Sequence, residues 1–85
     1  KDIFLSCEID NAERTFVFNE NNQSFYESVG LKNFDYDVRF SKTHILASNE
    51  NSEEILINRV SGTTTFTKEN MVTEGKCLLL DQTKF

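Results

Sequence analysis

Eighty-five residues are enough for one domain with a thin core, and the chain reads as a single β domain over residues 1–85. Nine basic against fourteen acidic side chains leave a formal charge of −5, the wrong sign for phosphate-backbone or anionic-membrane binding, so no nucleic acid is expected and a basic protein is the complementary partner. The longest apolar run is Cys77-Leu78-Leu79-Leu80, far short of the ~20 residues that cross a bilayer, so no direct membrane insertion is expected.

Eight Phe and two Tyr, with no Pro and three Gly, favour strands over helices and argue against disorder. The dominant period is two, the spacing of a half-buried strand. Ile3, Leu5, Cys7 and Ile9 alternate with Phe4, Ser6 and Glu8 and predict strand one. Asp10 to Glu13 is a polar turn. Phe16 and Phe18 alternate within Thr15 to Asn19, strand two, and Asn21-Asn22 is a hairpin signal because Asn tolerates positive φ. Ser24 to Ser28 is strand three, with Phe25 or Tyr26 facing inward, and Gly30 to Asn33 is a short connection. Phe34, Tyr36, Val38 and Phe40 alternate with Asp35, Asp37 and Arg39 in strand four, and Ser41-Lys42-Thr43 turns it. His44 to Ser48 is strand five, Asn49 to Glu54 a polar loop, and Ile55 to Val60 strand six; the one place with room for a helical turn is Asn49 to Ile57. Ser61-Gly62 leads into Thr63 to Lys68, strand seven. Glu69-Asn70 turns into strand eight, about Val72 to Leu80, with Gly75 at a bulge or close approach.

About eight short strands with short connections predict an all-β fold, a small antiparallel barrel or sandwich with meander topology. Closing such a meander brings the first and last strands together, and Cys7 and Cys77 lie on those two strands. A bond between them closes a loop of about 70 residues, which the chain-entropy model values at roughly 4 kcal/mol; two buried free thiols are the other reading. Two Cys and one His, with no CxxC pair, do not make a zinc or redox motif, and neither metal nor cofactor is expected.

Several groups invite a chemical reading. His44 could act as a base with Asp35 or Asp37 as its orienter and Ser41 or Ser48 as nucleophile, but no G-x-S-x-G elbow is present. Asp35, Asp37 and Arg39 share one strand face, an arrangement open to a paired-carboxylate site of the glycosidase type but equally that of a solvated outer face. No catalytic residue is therefore assigned. Glu50, Glu53 and Glu54, with Asn49 and Asn51, form an acidic loop without the calcium-loop spacing, and it is the first choice for a contact with a basic partner. Most aromatics are expected to fill the barrel. Phe4, Val17 and Tyr26, on the opposite faces of their strands from Leu5, Phe18 and Phe25, are expected to form an apolar patch open to a partner. Asn22-Gln23-Ser24 is formally a glycosylation sequon, relevant only to a eukaryotic secretory setting.

Leu5-Ser6-Cys7, the turn Ile57-Asn58-Arg59-Val60-Ser61-Gly62, the closing Gly75-Lys76-Cys77 and the tail Lys84-Phe85 resemble the pattern of small exported, lipoprotein-like bacterial β-proteins. That resemblance implies export, a β fold and paired cysteines, and it implies no activity. A looser similarity is to small periplasmic lysozyme-inhibitor barrels; of their Ser-Gly-x-x-Tyr loop, Ser61-Gly62-Thr63-Thr64-Thr65 keeps the first two positions. With this resemblance and a paired Cys7 and Cys77, a periplasmic or extracellular location is expected, and a chain that opens on Lys1 rather than Met is in line with a removed leader. The expected function is that of a non-enzymatic binding or interaction module of the cell envelope. The alternatives are a small barrel carrying an apolar ligand, or an inhibitor or immunity-type protein that blocks a basic enzyme. Nothing in the sequence sets an oligomeric state.

Overall fold

A computed structural model describes residues 1–80. Eight strands follow one another: β1 (Ile3–Ile9), β2 (Ala12–Asn19), β3 (Ser24–Val29), β4 (Lys32–Phe40), β5 (His44–Ser48), β6 (Glu53–Asn58), β7 (Thr63–Lys68) and β8 (Met71–Leu79). Each pairs antiparallel with the next, and β8 returns to β1, closing a barrel in meander order. The barrel, not the sandwich, is thus the form taken. Connections of two to four residues permit only such antiparallel neighbours. The tail motif Lys84-Phe85 lies outside the described residues.

Turn chemistry explains where the strands end. Asp10 and Asn11 both take positive φ, 54° and 64°, as a two-residue hairpin with the right twist requires. β2 therefore starts at Ala12, ahead of the Thr15 expected from sequence. Gly30, at φ 60°, opens the Gly30-Leu31 turn and lets β3 and β4 extend to meet it. The turns spanning 20–23, 49–52 and 59–62 each finish on a positive-φ residue: Gln23, Ser52 and Gly62. An Asn side chain at or just before each turn holds it. Asn19 Oδ1 accepts from the Asn22 amide at 3.1 Å, Asn49 Oδ1 from those of Asn51 and Glu53 at 3.0 Å, and Asn58 Oδ1 from those of Val60 and Ser61 at 2.9 and 3.0 Å. The last of these moves strand six from the expected Ile55–Val60 to Glu53–Asn58, and Val60 stands exposed in the turn.

Alternation sends Leu5, Cys7, Ile9, Phe16, Phe18, Phe25, Tyr36, Ile45, Ala47, Ile55, Ile57 and Cys77 into one buried cluster. The rings of Phe16, Phe25 and Tyr36 pack on one another with centroids 5.4 to 6.2 Å apart, so the middle of the barrel is filled by side chains, as an eight-stranded barrel of this size requires. Cys7 and Cys77 are direct partners across β1 and β8 and form a disulfide inside this core. Around it, the Cys77 amide donates to Gly62 O at 2.8 Å and the Leu80 amide to Phe4 O at 2.9 Å, which ties the closing strand to its neighbours on both sides.

The outer face departs from expectation at one place. Phe4, Val17 and Tyr26 do occupy one cross-strand row, but Val17 is only 1 % exposed and the two rings are half-buried. A short β-branched side chain between two large aromatic ones on adjacent strands is within their reach and loses its solvent. The row is therefore no open apolar patch, and Val17 is withdrawn from the interaction surface.

Candidate functional site at the acidic end of the barrel

In a meander, successive turns fall at alternate ends. The turns at 10–11, 30–31, 49–52 and 69–70 share one end; those at 20–23, 41–43 and 59–62 share the other. Charge is divided unequally between them. Splitting the described residues at the strand midpoints gives the first half ten carboxylates: Glu8, Asp10, Glu13, Glu27, Asp35, Glu50, Glu53, Glu54, Glu69 and Glu74. Against these stand three bases, Arg14, Lys32 and Lys68, for a net charge of −7. The second half holds Asp2, Glu20 and Asp37 against Lys1, Arg39, Lys42, Arg59 and Lys76, for +2. Asp81 and Lys84, outside the described residues, cancel in charge, so the modest overall −5 is a strongly polarised −7 and +2.

At the acidic end a groove of about 690 Å³ runs between the β3–β4 hairpin and the 49–52 turn. Phe34, Val29 and Tyr36 supply its apolar surface; Glu27, Asp35, Glu50 and Glu53 supply carboxylates, joined by Asp37 from just past the midpoint of β4; Arg14 is its one cation. Phe34 and Val29 are each about half exposed. Asp35, Asp37 and Arg39 point outward into solvent, and the two carboxylates reach the groove from its rim.

The floor of the groove is a polar plug that faces the barrel interior. Arg14 shares the inward face of Phe16 and Phe18, and Glu27 that of Phe25. Arg14 Nε and Nη2 donate to the two Glu27 carboxylate oxygens at 2.8 and 2.9 Å, the paired geometry that makes guanidinium–carboxylate contacts strong. The guanidinium carbon also lies 4.5 Å from the centre of the Phe66 ring and 5.4 Å from that of Phe16, within cation–π range. The bond to Glu27 raises the Arg14 pKa above its ordinary value, against the opposing effect of burial. Burial pushes the Tyr36 hydroxyl up, with the Arg14 charge pulling the other way. Among the described residues every buried side-chain polar atom has a partner. The plug is a satisfied structural unit.

Glu50, Glu53 and Glu54 do not form a single loop surface. Glu50 stays exposed in the turn, whereas Glu53 and Glu54 begin β6 and so point to opposite faces. Glu53 turns inward, where its Oε1 accepts from Asn49 Nδ2 at 2.8 Å and its Oε2 lies 3.3 Å from Lys68 Nζ. Glu54 faces out opposite Thr67. Glu53 thus leaves the set of free contacts, while Glu50 remains on the groove.

The Asn49 hydrogen bond, helped by Lys68, holds the Glu53 carboxyl below its ordinary 4.5 despite some desolvation. A depressed carboxyl stabilises the fold fully above the unfolded value, and that contribution fades as pH falls through the folded one. Glu53→Gln is therefore expected to cost up to about 1 kcal/mol at pH 7 and to flatten the acid limb of stability below pH 4.5. Urea unfolding at pH 7, 5, 4 and 3 checks it: equal acid slopes in both proteins would show that Glu53 carries no such linkage.

His44 sits in the turn network at 41–43, away from Asp35 and Asp37. Its Nδ1 lies 2.8 Å from Thr43 Oγ1, and its amide donates to Ser41 Oγ at 3.0 Å, a turn contact. Asp37 pairs with Ser48, four residues further along β5, about 13 Å from His44 at strand rise. Asp35 lies further still towards the acidic end. Among the described residues no three His, Cys, Asp or Glu side chains come together as a metal site.

Sequence reasoning misses the Arg14–Glu27 plug, although the signal is present: the period that turns Phe16 and Phe25 inward turns these two inward as well. A charged side chain beside a turn reads as solvated until the register shows its partner diagonally across, Glu27 lying opposite Phe16, two residues from Arg14. Comparison with protein-family models, with curated proteins and with solved structures gives no match.

Proposed function

We propose that the protein is a non-enzymatic binding module of the cell envelope whose acidic barrel end docks a basic protein. The observation that carries this reading is the polarisation of charge, −7 on the grooved half against +2 on the other. Such a distribution orients a basic partner during approach and raises its association rate, with a strong dependence on salt. The groove adds half-exposed Phe34 and Val29 beside the carboxylates, and an interface core with apolar anchors and a charged rim is the usual anatomy of protein contacts. The rigid plug beneath fixes the groove before binding, which lowers the ordering cost of association. The Cys7–Cys77 bond is consistent with an oxidising, exported compartment. In the resemblance to small exported β-proteins, the shared turn and the Gly-x-Cys strand are both seam elements here. A concave acidic end also suits an inhibitor or immunity-type protein that covers the site of a basic enzyme.

The test is binding to basic envelope proteins recovered with the oxidised protein, measured one by one by surface plasmon resonance. For a true partner, Asp35→Asn, Asp37→Asn and Glu50→Gln combined should slow association about tenfold at low salt, while neutralising Arg39, Lys42 and Lys76 does not slow it. A partner indifferent to the first set, or sensitive only to the second, would place the contact elsewhere and sink this reading.

A further inference from the structure

The end of the barrel opposite the acidic groove is not filled. Ile3, Leu5, Phe18, Ile45, Ile57 and Leu79 line a cavity of about 590 Å³ that opens between the 20–23 and 59–62 turns. Below it the barrel is closed by fully buried Phe16, Phe25 and Ile55, so a guest can enter the mouth and go no deeper. The mouths of β-barrels are among the commonest places for small-molecule sites, and an apolar wall with few fixed polar groups is their usual composition.

Lys1, Glu20, Ser61 and several Asn side chains also line this mouth, and the cation that hydrogen bonds hold in place there is Arg59. Its amide donates to Thr43 O at 2.7 Å and its Nη1 to Ser41 O at 2.7 Å, so the guanidinium is held at the rim by the 41–43 turn. Its Nη2 and Nη1 also donate to the two carboxylate oxygens of Glu20, at 2.8 and 3.2 Å. The Glu20 side chain is about half exposed, so this carboxylate can swing away into water at little cost. A guanidinium fixed beside an apolar hole, occupied by an exchangeable carboxylate, is laid out for a carboxylate that brings its own apolar chain. The surrounding half of the barrel carries +2, which favours an anionic head over a cationic one.

We infer that the mouth binds a free single-chain anionic amphiphile of the medium-chain fatty-acid type, its carboxylate replacing that of Glu20 on Arg59 and its alkyl chain lying over Ile3, Phe18 and Ile57. The site stands apart from the acidic groove, and neither depends on the other.

Titration of the oxidised protein with decanoate and with decan-1-ol, followed by methyl NMR, tests this. Saturable shifts are expected at Ile3, Leu5, Ile45 and Ile57 below the critical micelle concentration, with decanoate about tenfold tighter than the alcohol. Glu20→Gln frees the guanidinium and should tighten decanoate several-fold while leaving decan-1-ol unchanged. Arg59→Gln should abolish the preference for the acid; if that variant does not fold, Glu20→Gln decides alone. No saturable shift, shifts confined to the exposed Val29, Met71 and Val72 away from the mouth, or equal affinity for acid and alcohol would each overturn the inference.

Discussion

Replacing Cys7 and Cys77 together by Ala is expected to lower stability by about 4 kcal/mol. The bond links residues 70 apart in sequence, and in the chain-entropy model its main effect is to forbid the unfolded chain its most expanded conformations. Both cysteines are buried, so the double change also removes packed volume from the core, and Thr64 Oγ1 loses the sulfur it approaches at 2.9 Å while keeping its bond to Gly62 O. Small domains commonly hold about 5–8 kcal/mol in all, so the variant should sit near its unfolding midpoint at moderate urea. Urea titration of the variant and of the reduced wild type checks this, and both should show a steeper denaturant dependence because their unfolded chains expose more surface. A loss under about 1 kcal/mol would mean that β1–β8 pairing alone closes the barrel. In an oxidising compartment the bond keeps both barrel ends in register; in a reducing one the acidic groove and the mouth would each stand on a marginal fold.

The architecture was legible because its signals are local. Period-two patterning marks Ile3 to Ile9 and Phe34 to Phe40 without any knowledge of neighbours, and Asn-rich stretches mark turns because an Asn side chain can accept from the amides ahead of it. The position of the two cysteines then made barrel closure the simplest arrangement of those strands. What failed depends on register. Whether Val17 meets solvent is decided by Phe4 and Tyr26 across two strand pairs, and neither partner can be named from a single strand. Glu53 and Glu54 look alike in sequence, yet one residue of strand phase sends the first to Lys68 and the second to solvent. The charge polarisation needed one step more. It follows from asking which turns share an end, and only a closed meander with known strand limits answers that.

The second large effect is expected at Gly75. This residue lies opposite Ile9 on β1 and Thr64 on β7, and a Cβ built there meets the backbone carbonyl oxygen of Glu8 and comes within 2.9 Å of Ile9 Cγ1. The carbonyl cannot rotate away as a side chain would, so relief requires β1 and β8 to part locally, and Gly75→Ala should cost about 3 kcal/mol. Gly30→Ala separates this from a general intolerance of glycine loss. Gly30 has open space around its Cβ position and only its φ of 60° to accommodate, and its cost should stay near 1–2 kcal/mol. The seam clash and the disulfide act on the same two strands, so they should couple. With the bond intact β8 cannot leave β1, and the full clash is felt in the folded state. Without it the strands can shift apart and relax part of the strain, at the expense of core packing. Gly75→Ala combined with the Cys7/Cys77 double change should therefore cost less than the sum of the two, by at least 0.5 kcal/mol, in a urea-unfolding double-mutant cycle. Strict additivity, or a Gly75→Ala cost below that of Gly30→Ala, would show that β8 does not lie against β1 in the register Cys77 opposite Cys7.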